Sequence, residues 1–153
     1  MLSMTSAEIG GFLERQETGV LASCSDGDAY GTPESFGYRN GRIYFLLDMP
    51  SNSQKRAFVD DTDTVCFTVY EANTRREFAS VLVRGTLNRL PEDGAEAEIA
   101  VGQNEQFPSE HVFPERGGDT LREYELVVEE ISGRKGPDFE VETALAPVVA
   151  DAN

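Results

Sequence analysis

Short apolar runs separated by turn residues fill most of the chain after residue 19 and predict a series of antiparallel β-strands. Asp26-Gly27 and Asn40-Gly41 favour tight hairpin turns, so the first three strands should pair in sequence order. The expected strands are 20–24, 30–38, 42–47, 64–70, 80–87 and 124–131. About six strands with few helices predict a mainly β (α+β) fold, a closed or nearly closed antiparallel barrel.

Two helices are expected outside the segment between the third and fourth strands. Thr5 and Glu8 have the spacing of a capping box, and the apolar residues that follow form one face of a short helix that should close one end of the core. Pro91, followed by two acidic residues, suits the first turn of a second helix that reaches to about Val101.

The chain should form one domain over residues 1–133, because 153 residues supply a single hydrophobic core. Residues 134–153 are acidic and poor in bulky side chains, and we expect a mobile tail or weak packing there. The stretch 106–119 is too long and irregular for a simple turn and is a candidate lid. It contains His111, the single histidine, which could protonate a substrate or could be a solvated loop residue.

The charge balance excludes nucleic acid as a partner. The chain has 28 acidic residues against 13 lysines and arginines, a net charge of −15, and phosphate backbones would be repelled. Acids spread along the whole chain and a near absence of lysine indicate adaptation to molar salt in a halophile, where charges are strongly screened. An ordinary acidic domain is the alternative.

No apolar run reaches the roughly 20 residues of a membrane-spanning helix, and the amino terminus does not resemble a targeting segment. We therefore expect a cytoplasmic protein with no membrane partner. Cys24 and Cys66 lie in apolar stretches, and we interpret them as reduced core thiols, with a disulfide as the alternative. One histidine and two separated cysteines do not predict a metal site.

The segment between the third and fourth expected strands has the outline of an anion site. Ser53, Lys55 and Arg56 stand at the start of a short helix, where free backbone amides, a hydroxyl and two cations could converge on a phosphate. Lys55 is one of only two lysines in the chain. The alternative is that Ser53 simply caps the helix while both cations are solvated.

Four motifs occur in the order seen in pyridoxamine 5′-phosphate oxidase-like proteins, which the region from Glu8 to Leu90 resembles. They are 32–36 (Thr-Pro-Glu-Ser-Phe), 41–45 (Gly-Arg-Ile-Tyr-Phe), 53–55 (Ser-Gln-Lys) and 80–85 (Ser-Val-Leu-Val-Arg-Gly). The resemblance implies a split β-barrel that binds FMN. It gives Ser53 and Lys55 the role of holding the FMN phosphate, with Arg56 as a helper.

The same resemblance implies the residues around the flavin ring. Glu34, Ser35 and Phe36 become ring contacts through backbone and side chain, and Phe45 and Leu46 continue that wall. For Phe36, Phe45 and Leu46 the alternative is plain core. The resemblance also implies a homodimer with two sites at its interface, and Ser80 would reach the flavin, often from the partner subunit.

Two departures from the family argue against two of its known activities, the oxidation of vitamin B6 and the reduction of nitroimidazoles. The oxidase proper has a basic, histidine-containing carboxy-terminal arm, whereas residues 133–137 here lead into acidic and small residues. Relatives linked to nitroimidazole reduction often place a histidine just after the third strand, where this chain has Leu46, Leu47 and Asp48.

The leading functional hypothesis is an FMN-dependent oxidoreductase acting on a small substrate, with deazaflavin F420 as a related cofactor. The second is a non-enzymatic flavin-binding or sensing dimer. The third is a barrel without a cofactor that serves only in assembly. No catalytic side chain is identified by the sequence.

Overall fold

The computed structural model describes residues 1–50, 52–104 and 121–150. The helices and strands, in chain order, are β1 (Leu2–Ser3), α1 (Ser6–Glu14), β2 (Thr18–Ser25), β3 (Asp28–Arg39), β4 (Arg42–Asp48), α2 (Gln54–Asp61), β5 (Val65–Ala72), β6 (Phe78–Arg89), α3 (Glu96–Asn104) and β7 (Leu121–Lys135).

Six of the strands close an antiparallel barrel. The sheet order is β1-β7-β4-β3-β2-β5-β6, and an additional pairing of β6 with β7 closes the ring. The strand β7 is long enough to pair with β4 through its first half and with β6 through most of its length. The short β1 lies beside the end of β7. The predicted fold class is therefore confirmed.

Local sequence signals account for much of this topology. Asn40 and Gly41 both have positive φ angles at the turn between β3 and β4, as do Asp26 and Gly27 between β2 and β3. The helix predicted from Pro91 begins later than expected. Pro91 accepts a hydrogen bond from the amide of Gly94 in a turn, and α3 starts only at Glu96.

The barrel interior is filled by alternate residues of every strand, such as Leu21, Ile43, Phe67 and Val83. Helix α3 packs against β3 at Gly37, where a Cβ would lie 2.1 Å from the carbonyl carbon of Ala100. A side chain at this position would push α3 off the barrel.

Helix α1 is fixed at its start by the predicted capping box. The amide of Glu8 donates to Thr5 Oγ1 at 3.1 Å, and the amide of Thr5 donates to Glu8 Oε1 at 3.0 Å. Glu8 also accepts a 2.5 Å hydrogen bond from Lys135 Nζ on β7. The bond from Lys135, followed by that from Thr5, lowers the pKa of Glu8.

Asn104, at the end of α3, is a buried polar side chain that joins three elements. Its Oδ1 accepts from the amide of Tyr38 on β3 at 2.9 Å, while its Nδ2 donates to the carbonyls of Leu13 and Gln16 at 2.8 Å each. Both ends of the amide are therefore used inside the protein, as a buried polar group requires.

Residues 136–150 form a carboxy-terminal strap, which runs over α1 and back along the barrel. Ala144 N donates to Ala7 O at 2.9 Å, and Val149 N donates to Gly41 O at 2.8 Å. Strand β7 also continues to Lys135, two residues beyond the expected domain end. Mobility of this segment in solution stays a prediction.

The two cysteines are free, but the expectation that they are core residues is wrong. Cys24 is exposed and Cys66 is partly exposed, because both lie on the strand faces that point away from the barrel interior. Among the described helices, none has the length and apolar character needed to cross a membrane.

Candidate functional site

The anion site expected from the sequence is built on the amino-terminal end of α2. Ser53 has extended backbone angles and caps the helix, and its Oγ accepts from the amide of Arg56 at 3.1 Å. A hydroxyl that accepts in this way still has its own hydrogen to donate. Ser53 therefore performs the capping role of the alternative interpretation and keeps a donor for a ligand.

Lys55 does not lie in solvent. Its Nζ is 2.8 Å from Glu34 Oε2 on β3, and the two side chains are 22% and 10% exposed. The same carboxylate oxygen accepts from Thr32 Oγ1 at 2.9 Å. The alternative interpretation, in which both cations are solvated, is thus wrong for Lys55. Arg56 is more exposed, and its Nε lies 3.8 Å from Asp60 Oδ2.

The opposite end of α2 is attached to β2 by hydrogen bonds. Thr62 Oγ1 accepts from the amide of Cys24 at 2.9 Å and donates to its carbonyl at 2.8 Å. Tyr30 and Phe58 stack with ring centroids 4.9 Å apart. Within the helix only Val59 is buried. These contacts pack α2 mainly against β2, and from there the Lys55 side chain reaches Glu34 on β3.

Phe36 and Phe45, both predicted ring contacts, lie opposite each other on β3 and β4 and are fully buried. Each meets Phe67 edge to face, with centroids 5.2 and 4.7 Å apart. Their side chains belong to the core, as the alternative interpretation holds. Any contact between these two residues and a flavin would have to use the backbone.

Tyr124 on β7 pairs with Phe45 and is buried. Burial raises its pKa, and the carboxylate of Asp60 on α2 raises it further. The phenol therefore stays neutral at physiological pH.

Leu46 points to the other side of β4 and lines a groove of ≈ 540 Å³ together with residues 89–92 and 121–123. Opposite it, Glu123 Oε1 accepts from the amides of Ala97 and Glu98 at 2.8 and 3.3 Å and so caps the start of α3. Leu46 is thus placed on a different wall from Lys55.

Ser35 and Ser80 lie on the outward sides of β3 and β6. Ser80 pairs with Tyr70, and β6 is separated from β3 by β2 and β5 in the sheet. One chain therefore does not bring Ser80 and Lys55 together. A contact of Ser80 with a flavin held by Lys55 requires a second subunit, and it stays a prediction.

The outer face of β2, β5 and β6 carries exposed apolar side chains. Val20, Tyr70 and Leu82 are 41%, 64% and 43% exposed. One row across this face runs, through successive strand pairs, over Pro33, Val20, Thr68, Leu82 and Ser132. This surface is apolar in a chain whose net charge is −15.

Sequence reasoning named Glu34 but missed its pairing with Lys55, and it placed Thr32 in a motif without giving it a role at the site. The signal was present, because Thr32, Glu34 and Phe36 alternate along one strand and must share a face. It also missed the groove of ≈ 1040 Å³ between α1 and the carboxy-terminal strap, which none of the predicted cofactor residues lines. His111 and the 106–119 loop lie outside the described residues.

Comparison with known protein families identifies the chain. The pyridoxamine 5′-phosphate oxidase family matches residues 5–135. The chain belongs to this family. No curated protein matches it.

Several solved structures share the fold of this family member. An FAD-binding protein from Mesorhizobium loti is 22% identical with a TM-score of 0.66, over 86% of this chain and 95% of that one. An FAD-binding protein from Mycobacterium smegmatis is 14% identical, with a TM-score of 0.63 over 88% and 98%. A heme-binding protein from the same organism is 14% identical, with a TM-score of 0.68 over 94% and 59%.

Proposed function

We propose that the protein binds a flavin, FMN, and that the amino-terminal end of α2 holds the phosphate. The observation that carries this proposal is the joint placement of the helix start, the Ser53 hydroxyl and the Lys55 ammonium. Amides at a helix start and a nearby cation are the usual means of binding phosphate. Membership of the oxidase family and the flavin-binding proteins of the same fold support it.

The donors at this end of α2 suit a phosphate ester better than a metal ion. Ser53 and Lys55 supply a hydroxyl and an ammonium, and Arg56 lies one residue further on. Among the described residues, the carboxylate of Glu34 is the one acid within salt-bridge distance of Lys55. A bound flavin would supply hydride and electron transfer, while the chain supplies binding, orientation and exclusion of water.

We further propose that the protein is an oxidoreductase acting on a small substrate, and not only a flavin-binding module. Tyr124 is a neutral hydroxyl next to Phe45 and is available as a hydrogen-bonding group, not as a base. Catalysis then depends on the bound flavin and needs no titrating side chain from the described residues.

The visible spectrum of the purified protein in concentrated KCl tests cofactor binding. We expect flavin absorption, and mass spectrometry of the molecule released on denaturation should give FMN and not F420. Reduction by NADH or NADPH followed by reoxidation with added acceptors tests turnover. Bound flavin without turnover would favour the sensing module, and a colourless protein that takes up no flavin would contradict both.

We also propose a homodimer that covers the outer face of β2, β5 and β6 with a second copy of the chain. The exposed Val20, Tyr70 and Leu82 support this, since a strongly acidic surface elsewhere makes self-association most favourable through its apolar part. The same contact would bring Ser80 of one copy towards the α2 end of the other.

The dimer should depend on salt. We expect dissociation at low ionic strength before the barrel unfolds, because two chains of charge −15 repel each other when screening is weak. Sedimentation with circular dichroism at decreasing KCl concentration measures both events.

A substitution pair locates the contact surface. Leu82→Glu should give monomers in concentrated KCl, whereas Leu145→Glu should not, because Leu145 is fully exposed and lies on the strap instead of this face. Dimers that survive Leu82→Glu would contradict this placement. Dimers that persist at low salt would contradict the predicted salt dependence.

A further inference from the structure

The environment of Glu34 differs from that expected of a residue beside a flavin ring. Its carboxylate is 10% exposed, accepts from Thr32 Oγ1 at 2.9 Å, and lies 2.8 Å from the ammonium of Lys55. The Arg15–Glu142 and Arg76–Asp138 pairs have side chains that are more than half exposed. Glu34 and Lys55 are therefore shielded from water and from salt, so their interaction persists at high ionic strength.

A phosphate that binds Lys55 enters a position next to this carboxylate. Two hydrogen-bond lengths through the ammonium place the phosphate and the carboxylate within about 6 Å of each other. Both are anions, and the phosphate monoester carries a charge of about −1.5 to −2 near neutral pH. A shielded carboxylate that loses its cationic partner, or shares it, is destabilised.

We propose, on the basis of the flavin site proposed above, that Glu34 competes with the flavin phosphate for Lys55 and so sets the affinity for FMN relative to riboflavin. Its carboxylate holds the ammonium that FMN needs, and so it weakens the binding of phosphorylated flavins without affecting flavins that have no phosphate. This site therefore discriminates less between FMN and riboflavin than would a site whose lysine has no carboxylate partner.

The test compares the binding of FMN and of riboflavin to the natural chain and to its variants. Glu34→Gln removes the negative charge but keeps an oxygen that can accept from Thr32. Glu8→Gln is the matched control, because Glu8 is the partner of the other lysine, Lys135, and glutamine preserves the capping box. Dissociation constants are measured by quenching of flavin fluorescence in concentrated KCl, with circular dichroism to verify folding.

We expect Glu34→Gln to tighten FMN binding about tenfold, a value typical of one charge interaction, and to leave riboflavin binding unchanged. Glu8→Gln should change neither constant. In a Lys55→Gln background the gain from Glu34→Gln should shrink strongly, because the contested ammonium is then absent. This double variant separates competition for Lys55 from a general loss of negative charge.

Three outcomes would overturn the proposal. If Glu34→Gln leaves the ratio of FMN to riboflavin affinity unchanged, Glu34 does not compete for Lys55, although the proposal of flavin binding still holds. Tighter binding of both flavins to the same extent would make Glu34 a ring contact instead. A protein that binds neither flavin in any variant refutes the proposed function together with this role of Glu34.

Discussion

Lys55→Gln should weaken FMN binding by about tenfold to a hundredfold, the range expected when a hydrogen bond to a charged group is lost. The ammonium of Lys55 is placed at the start of α2, where the helix amides and the Ser53 hydroxyl add to its attraction for a phosphate. Fluorescence titration with FMN in concentrated KCl measures the change.

The other lysine of the chain supplies the control. Lys135 is 17% exposed and is bound to Glu8 at 2.5 Å, so it resembles Lys55 in burial and in partner but lies at the end of β7. Lys135→Gln should leave FMN affinity unchanged within about twofold, a difference small beside the loss of one charged hydrogen bond. Equal losses in the two variants would place the phosphate elsewhere. Riboflavin should bind both variants as it binds the natural chain.

The features that sequence predicted correctly are those decided by neighbours in the chain. The capping box needs only Thr5 and Glu8, and the hairpin between β3 and β4 needs only the Asn40-Gly41 turn. The predicted start of α3 was wrong because it was based on neighbours in the chain alone. Pro91 and its acidic neighbours suit a helix start, but they form a turn, and the amides of the true start are capped by Glu123 from β7.

The features that sequence did not predict depend on contacts between distant residues. Lys55 meets Glu34 on β3 only because α2 packs beside β2, a placement set by the contacts of Thr62 and Tyr30. The fully buried state of Phe36 likewise follows from closure of the barrel around Phe67. A motif can name the residues of such a site, but which of them face one another is decided by tertiary packing.

Gly11→Ala should destabilise the fold by about 2 kcal/mol or more, because the added methyl group has no space. A Cβ at Gly11 would lie 1.6 Å from the carbonyl oxygen of Glu142 and 2.7 Å from its carbonyl carbon, both backbone atoms of the carboxy-terminal strap. Backbone cannot rotate aside as a flexible side chain can, so the strap must leave α1. Chemical denaturation monitored by circular dichroism measures the change in the free energy of unfolding.

Gly102→Ala is the matched control, since Gly102 also lies in a helix but, within the described part of the chain, has nothing within 4 Å of its Cβ position. Alanine favours helix over glycine, so this variant should be more stable by up to about 1 kcal/mol. Hydrogen exchange adds a local measurement, because the amide of Ala144 donates to Ala7 O only while the strap is bound to α1. Its exchange should accelerate in Gly11→Ala and not in Gly102→Ala. A Gly11→Ala protein as stable as the natural chain would mean that the strap does not bind α1 in solution, and the groove that it forms with α1 would then be absent as well.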